Sequence, residues 1–388
     1  MPFEEGTPVI AYYDCSATTP VDERVAAEVL RLMTAEYGNA GSRTHSYGRD
    51  ALDTVTRARR QVADVVAASP DEITFTSGAT EANNLALLGF EPEGERSNRR
   101  HIISTTIEHK AILEPLARLR DRGFDVDLVP VNSNGRINAD DVAQRLRADT
   151  LLVSVMHANN ETGVLQPIDE VAAAMAGHPA WLHVDAAQSF GKELEALRDP
   201  RIDLISVSGH KIFGPKGVGA LIARRRGYRR PPITPLLVGG GQERGLRPGT
   251  LPVPLIAGLG LAADLAVREH DTRRKECLRL RTQVLDGLEP LNLSINGDTT
   301  TALPHVLNVS LPGADAEAVM VAWRELVAVS NGSACTSASY KPSHVLTAMG
   351  LREDRVRRAL RISWSHLSPA VDWAEAVARV RGLAAPIQ

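Results

Sequence analysis

Across residues 1–240, short apolar runs rich in β-branched side chains alternate with longer stretches of helical period. Ile73 to Thr76, His101 to Ser104, Val126 to Val129, Leu151 to Met156, Trp181 to Asp185 and Leu204 to Ser208 read as buried strands bounded by polar or Gly/Pro punctuation. Thr80 to Leu88, Ala111 to Arg122, Asp140 to Leu146 and Ile168 to Ala176 read as helices between them. Repetition of this kind implies an α/β fold, a mostly parallel sheet whose crossover helices cover both faces. Ligands of such sheets bind beyond the carboxyl ends of the strands, so the residues just after each run are the ones to inspect for chemistry.

The pattern changes after Gly239 to Gly241. Pro254 to Glu269 reads as a long helix rich in Ala, Leu and Gly, and Arg273 to Leu288 as a second. Shorter strands, Val306 to Ser310, Val327 to Val329 and Leu360 to Ser363, then mix with helices, the last over Ala370 to Arg381. We therefore expect a large domain over residues 15–264 and a smaller α+β domain built from 1–14 and 265–388. With 388 residues, 43% of them hydrophobic and 23% charged, the chain has ample material for two cores. Three widely spaced cysteines, Cys15, Cys277 and Cys335, form neither a disulfide framework nor a C-x-x-C zinc grip, so no metal is expected. Met1 to Tyr13 lacks a basic segment followed by an apolar one, and the chain has no apolar run of about 18 residues. These features point to a soluble protein of a reducing, cytoplasmic compartment with no membrane partner. A formal charge of −3 supplies no general field for nucleic acid, and no direct nucleic-acid binding is expected.

The expected strand ends carry the reactive side chains. Trp181 to Asp185 ends on a carboxylate, which burial would force to pair with a cation or a protonated ring nitrogen. By itself such an Asp is more often a cap for the following turn. Ile202 to Gly217 presents Ser208, His210 and Lys211 at another strand end. A lysine beside Ile212 and Phe213 is partly desolvated, which favours the neutral amine that forms a Schiff base, although alone it would read as a solvated loop lysine. An imine-forming lysine and an acid that keeps a pyridine nitrogen protonated are together the two parts that pyridoxal phosphate requires. Thr76 to Asn84 adds a strand, the turn Ser77-Gly78-Ala79-Thr80 and a helix N-terminus, whose free N–H groups suit a phosphate. His109 and the amides of Asn159 and Asn160 follow two further strand ends. A histidine there is more often structural, yet an imidazole can also stack on a ring and relay protons. Cys335 lies among small and hydroxylated residues and reads as an exposed reactive thiol, whereas Cys277, in a long helix, reads as packing.

Taken in order, Asp14 to Pro20, Thr76 to Asn84, Glu108-His109-Lys110, His157 to Gly163, His183 to Ser189, Ser208 to Gly217, Arg247 to Thr250 and Asn331 to Ser339 resemble the successive motifs of one family. It is the pyridoxal-phosphate cysteine desulfurases, the NifS/IscS-like branch of the class-V, fold type I aminotransferases, and the resemblance spans about residues 10–366. It implies a homodimeric fold type I transferase that converts L-cysteine to L-alanine and passes the sulfur, as a persulfide, to an acceptor protein. It implies Lys211 as the Schiff-base lysine, Asp185 on the pyridinium nitrogen, Gln188 at the ring hydroxyl and His109 stacked on the ring. Thr80, Ser208 and His210 would hold the phosphate, with Thr250 reaching across from the second subunit. Asn160, beside the cofactor, and Arg361 would receive the substrate carboxylate, and Cys335 would take the sulfur. The acceptor, whether serving iron–sulfur clusters, thiolated RNA, a cofactor or phosphorothioate DNA, is not written in these motifs. Cys15 departs from the family, which more often has His or Asn there, and Pro248 replaces a more usual Ser.

Three other readings compete. A selenocysteine lyase or another aminotransferase of this fold would share Lys211 and Asp185, leaving Cys335 as the deciding feature. A nicotinamide enzyme is suggested by Gly258 to Ala263, a G-x-G-x-x-A match, but Pro252 and Pro254 stand where its strand should be and the run reads as helix. A binding module is suggested by Arg224 to Arg230, which reads as a solvated strand end and alternatively as a dock for an acidic acceptor.

Overall fold

A computed structural model describes residues 10–332, 342–381 and 383. The short strand β1 (Ala11–Tyr12) comes first, followed by β2 (Ile73–Thr76), β3 (His101–Thr105), β4 (Asp125–Val129), β5 (Thr150–Met156), β6 (Trp181–Asp185), β7 (Leu204–Ser208) and β8 (Gly219–Ala223). The strands β2 to β8 form one sheet in the order β2-β8-β7-β6-β5-β3-β4. Every neighbouring pair is parallel except the two made by β8, which runs against β2 and β7. The reversal has a local cause: the Gly209–Val218 connection holds only a 3₁₀ turn, too little chain for the crossover that a parallel neighbour needs. Strands β5, β6 and β7 are buried along their whole length, as expected of a parallel sheet covered on both faces.

All the strands and helices expected from the sequence are present, with their ends displaced by a few residues. Two further helices, Glu23–Thr34 and Ser46–Val65, pack with the helix Val253–Arg268 over one face of the sheet. The G-x-G-x-x-A run lies inside that last helix, and Gly260 is there for packing, since a Cβ on it would come within 2.5 Å of Ala58 Cα. The nicotinamide reading therefore loses its motif.

The later strands are β9 (Ser294–Ile295), β10 (Val306–Ser310), β11 (Val327–Ala328) and β12 (Ala359–Ser363). An antiparallel sheet β12-β10-β9 forms, and β1 pairs in parallel with β11, so the N-terminal strand joins the C-terminal part of the chain. Tyr13, Val284, Leu288, Trp323, Leu360, Trp364 and Trp373 build a core here that is separate from the one beneath the large sheet. No helix among the described residues is long and apolar enough to cross a membrane.

The basic run follows the end of β8 and is solvated at Arg225, Arg229 and Arg230 as expected, but not throughout. Arg224 is buried and donates to the backbone oxygens of Leu197 (2.7 Å), Asp199 (2.5 Å), Ile202 (3.1 Å) and Val66. Arg226 places its fork on Asp203 at 2.6 and 2.7 Å and lies 4.3 Å from the centre of the Trp181 ring, while Arg225 and Arg230 both meet Asp71. These arginines tie together the ends of strands opposite to those that carry the reactive residues.

Candidate active site

The carboxyl ends of β2, β3, β5, β6 and β7 open into one crevice. After β2, the helix Ala79–Leu88 begins at Gly78 without a side-chain cap, so its first N–H groups remain available to an anion. Gly219 of β8 pairs with both Thr76 and Ser208 and lets this turn come close: a Cβ there would lie 2.4 Å from Val207 O and 2.6 Å from Gly78 Cα. Thr80, Ser208 and His210 line the crevice at this end. His210 shares a hydrogen bond with Thr18 Oγ1 at 3.1 Å, and burial holds its ring down to about 4, hence neutral.

Lys211 turns in from the end of β7, its ammonium donating to the carbonyls of Ser16 and, at 2.8 Å, Ala17. Asp185, 5% exposed at the end of β6, accepts from Asn83 Nδ2 at 2.7 Å and from the Ala187 N–H at 2.9 Å. Burial pushes its carboxyl above the ordinary Asp range, with His109 and Lys211 pulling the other way. His109 caps the helix Lys110–Asp121, its Nδ1 accepting from the Ala111 N–H at 3.1 Å. In the neutral ring that bond leaves the proton on Nε2, and burial holds the imidazole below its usual range. Gln188 donates to Ser16 O at 3.0 Å, and its buried Oε1 has no partner among the described residues.

Arg361 enters from the other sheet, on β12. Its guanidinium is 4% exposed, donating to Asn160 O at 3.0 Å and pairing with Asp14 at 2.7 Å, while its buried Nε has no partner among the described residues. Asn160 lines the crevice beside it.

Lys211, His109, Thr80, Asn160, Asp185, Gln188, Ser208, His210 and Arg361 thus line one space. Thr250 stands outside it and is exposed, and Cys335 lies outside the described residues. Cys15 is buried in the wall and faces a second, smaller cavity with Lys192, Cys277 and His305. Several participants were not singled out in the sequence: Asn83, one helical turn beyond Thr80; Asp14, whose only signal was its place in the Asp14–Pro20 run; and the buried carboxylates Glu108 and Glu161.

The residues present suit pyridoxal phosphate. A buried carboxylate that accepts from the neutral donors Asn83 and Ala187 N–H favours a protonated ring nitrogen, and an uncapped helix start with two hydroxyl residues and a neutral imidazole suits a phosphate. The orphaned Gln188 Oε1 is an acceptor ready for a ring hydroxyl.

A family model described as aminotransferase class-V matches residues 11–372. The mitochondrial cysteine desulfurase of Eremothecium gossypii is 47% identical over 344 residues, which is 88% of this chain and 69% of that protein. DndA from Streptomyces lividans, a solved structure, is 54% identical with a TM-score of 0.81, covering 90% of this chain and 98% of that one. The structure of SspA in complex with cysteine is 36% identical with a TM-score of 0.80, covering 92% and 100% of the two chains. The match over nearly the whole sequence agrees with the lysine, the acid and the anion cradle of the crevice: the chain belongs to the class-V aminotransferase family, as a pyridoxal-phosphate enzyme of its cysteine desulfurase branch.

Proposed function

We propose that the chain converts L-cysteine to L-alanine and passes the sulfur through Cys335 to an acceptor protein. The observation that carries this reading is the convergence of Lys211, Asp185, His109 and Arg361 on one crevice beyond the strand ends.

Pyridoxal phosphate, when bound, supplies an electron sink for charge developing at the substrate α-carbon. Asp185 would hold the proton on the ring nitrogen that such a sink needs, kept in place by Asn83 and the Ala187 N–H. Thr80, Ser208 and His210 would hold the phosphate at the start of the helix Ala79–Leu88. Arg361 would receive the substrate carboxylate, since a guanidinium fork matches it bidentately and its buried Nε has no acceptor among the described residues. Lys211, which would carry the cofactor, is also the base suited to take the α-proton, because it enters the crevice from a strand end. His109, with Nδ1 engaged by the Ala111 N–H, offers Nε2 for moving a second proton. Cys335, as a thiolate, would form a sulfur–sulfur bond as the carbon–sulfur bond of the substrate breaks.

Residues 15–264 would form the cofactor domain, and 1–14 with 265–388 the smaller one, a division supported by the separate core that Ala11 and Tyr13 share with Trp323 and Trp364. Exposed Leu236, Leu237 and Val238, shortly before the exposed Thr250, support a homodimer in which Thr250 serves the second crevice. The unbridged thiols of Cys15 and Cys277 suit a reducing compartment such as the cytoplasm.

Two substitutions test the assignment. Lys211→Ala is expected to lose the yellow colour of the bound cofactor, and Cys335→Ser to keep it while forming no persulfide. Alanine release by Cys335→Ser at the normal rate, with a small thiol as acceptor, would show that Cys335 does not take the sulfur.

A further inference from the structure

The turn that follows β5 holds Asn160, whose carbonyl accepts from Arg361, and next to it Glu161, which the mechanism above leaves without a task. Glu161 is 3% exposed and points away from bulk solvent. Its Oε2 accepts the hydroxyl proton of Ser343 at 2.5 Å. Ser343 spends its acceptor capacity on the Leu346 N–H at 3.1 Å, capping the helix His344–Ala348, so Glu161 is the receiver of its one hydroxyl hydrogen. On the other side Gly332 faces the same side chain: a Cβ placed there would come into ordinary van der Waals contact, 3.4 Å from both Glu161 Cγ and Oε2. Gly332 and Ser343 are the residues on either side of the stretch that contains Cys335.

The neighbouring contacts lead to the same place. Ser330 exchanges backbone hydrogen bonds with Arg361, and its hydroxyl shares Asp14 Oδ1 with the Arg361 guanidinium. His344 bonds to Glu108 O at 2.9 Å, one residue before His109. The chain on both sides of Cys335 is thus tied to the turns that carry Arg361, Asn160 and His109. Burial raises the Glu161 carboxyl above the ordinary Glu range, with Ser343 as the first opposing influence, so among the described residues the Ser343 hydrogen bond is what its carboxyl has in exchange for water.

We propose that Glu161 is a positioning residue for sulfur transfer, fixing Ser343 to the turn that holds the substrate carboxylate site. This rests on the reading that Cys335 takes the sulfur. A thiol must meet the substrate sulfur at bonding distance, and a displacement of about 1 Å in such a step can cost a hundredfold in rate. Because Asn160 and Glu161 are adjacent, one short turn bonds both to Arg361 and to Ser343, the anchor that follows Cys335 in the chain.

The test separates binding from transfer in the holoenzyme, using Glu161→Ala, Glu161→Gln and Ser343→Ala. The colour change on adding cysteine reports substrate engagement, and the mass gain on Cys335 in a single turnover reports transfer. Glu161→Ala and Ser343→Ala should slow persulfide formation by about tenfold or more while leaving apparent cysteine affinity within about twofold. Glu161→Gln, which keeps an acceptor oxygen for Ser343, should recover most of the rate. If Glu161→Ala does not fold, Ser343→Ala and Glu161→Gln still decide the matter. Unchanged persulfide rates in the alanine variants would overturn the proposal, as would a loss of cysteine affinity in step with the rate, which would assign Glu161 to the carboxylate site alone. Cys335→Ala is run beside them: normal alanine release there would overturn the thiol assignment and this proposal with it, whereas inert Glu161 and Ser343 variants with a dead Cys335→Ala would overturn the positioning role only.

Discussion

Asp185 and Glu108 are both buried carboxyls beside the same crevice, yet their surroundings divide their roles. Asp185 has donors on both oxygens, Asn83 and the Ala187 N–H, and lines the crevice. Glu108 places Oε1 between Thr105 Oγ1 (2.8 Å) and the Met156 N–H (2.9 Å), but Oε2 is buried with no partner among the described residues. Burial pushes Glu108 up to about 8 from an ordinary 4.5, so the folded protein keeps its proton where the unfolded chain has lost it. The folded-state stabilisation from that proton is full at low pH and is lost as pH rises between these values, by on the order of 1.4 kcal/mol per pH unit. Glu108→Gln removes the titration and keeps the acceptor oxygen. Its melting temperature relative to the unsubstituted protein should therefore climb steadily from pH 5 to about 8. Parallel melting curves across that range would mean that Glu108 is ionised in the fold. Asp185 and Lys211 were legible in the sequence because a carboxylate and an amine at strand ends have few bland explanations when they occur together. Asn83, Asp14 and Glu161 were not, because each acquires its role from a partner over a hundred residues away, which no local pattern records.

Elements were more legible than contacts, for a physical reason. Strands buried on both faces must be apolar throughout, so β5, β6 and β7 were visible as runs, whereas the antiparallel direction of β8 depends on a connection too short to hold a helix. The helix Val253–Arg268 was visible too, but the reason for its glycines was not. Gly260 is the point at which it meets Ser46–Val65, with Ala58 Cα only 2.5 Å from where a Cβ would sit. Backbone cannot move aside as a side chain can. Gly260→Ala should force the two helices apart and destabilise the protein by about 1–3 kcal/mol, despite the better helix propensity of alanine. A fall in the denaturant midpoint without a change in slope is the expected sign. An unchanged midpoint would mean that the helices separate at no cost. The same distinction explains Arg224, whose chemistry suggested a solvated cation while its position made it a buried donor to four backbone carbonyls of a helix end and neighbouring turns.

At the scale of the molecule, the crevice draws on two sheets: the large one supplies Asp185 and Lys211, and the smaller supplies Arg361 through β12. Thr250 is the one assigned phosphate residue that does not reach this crevice within its own chain, standing exposed beyond the apolar stretch Leu236 to Val238. If two chains pair by this surface, each crevice is completed by the other chain, and the two classes of variant should complement. A Lys211→Ala chain has a dead crevice but an intact Thr250 to lend, and a Thr250→Ala chain has an intact Lys211 to be served. In a dimer of the two, one crevice then holds every wild-type group. Random pairing of equal amounts makes half the dimers mixed, so about one crevice in four should regain normal cofactor affinity. Titrating cofactor into the co-refolded mixture, against each variant alone, measures that fraction by the yellow colour retained. Were Thr250 to serve its own chain, no mixed dimer would contain a complete crevice and the mixture would bind no better than the average of its parts. The same outcome would follow from a monomer, which sedimentation of the unsubstituted protein distinguishes.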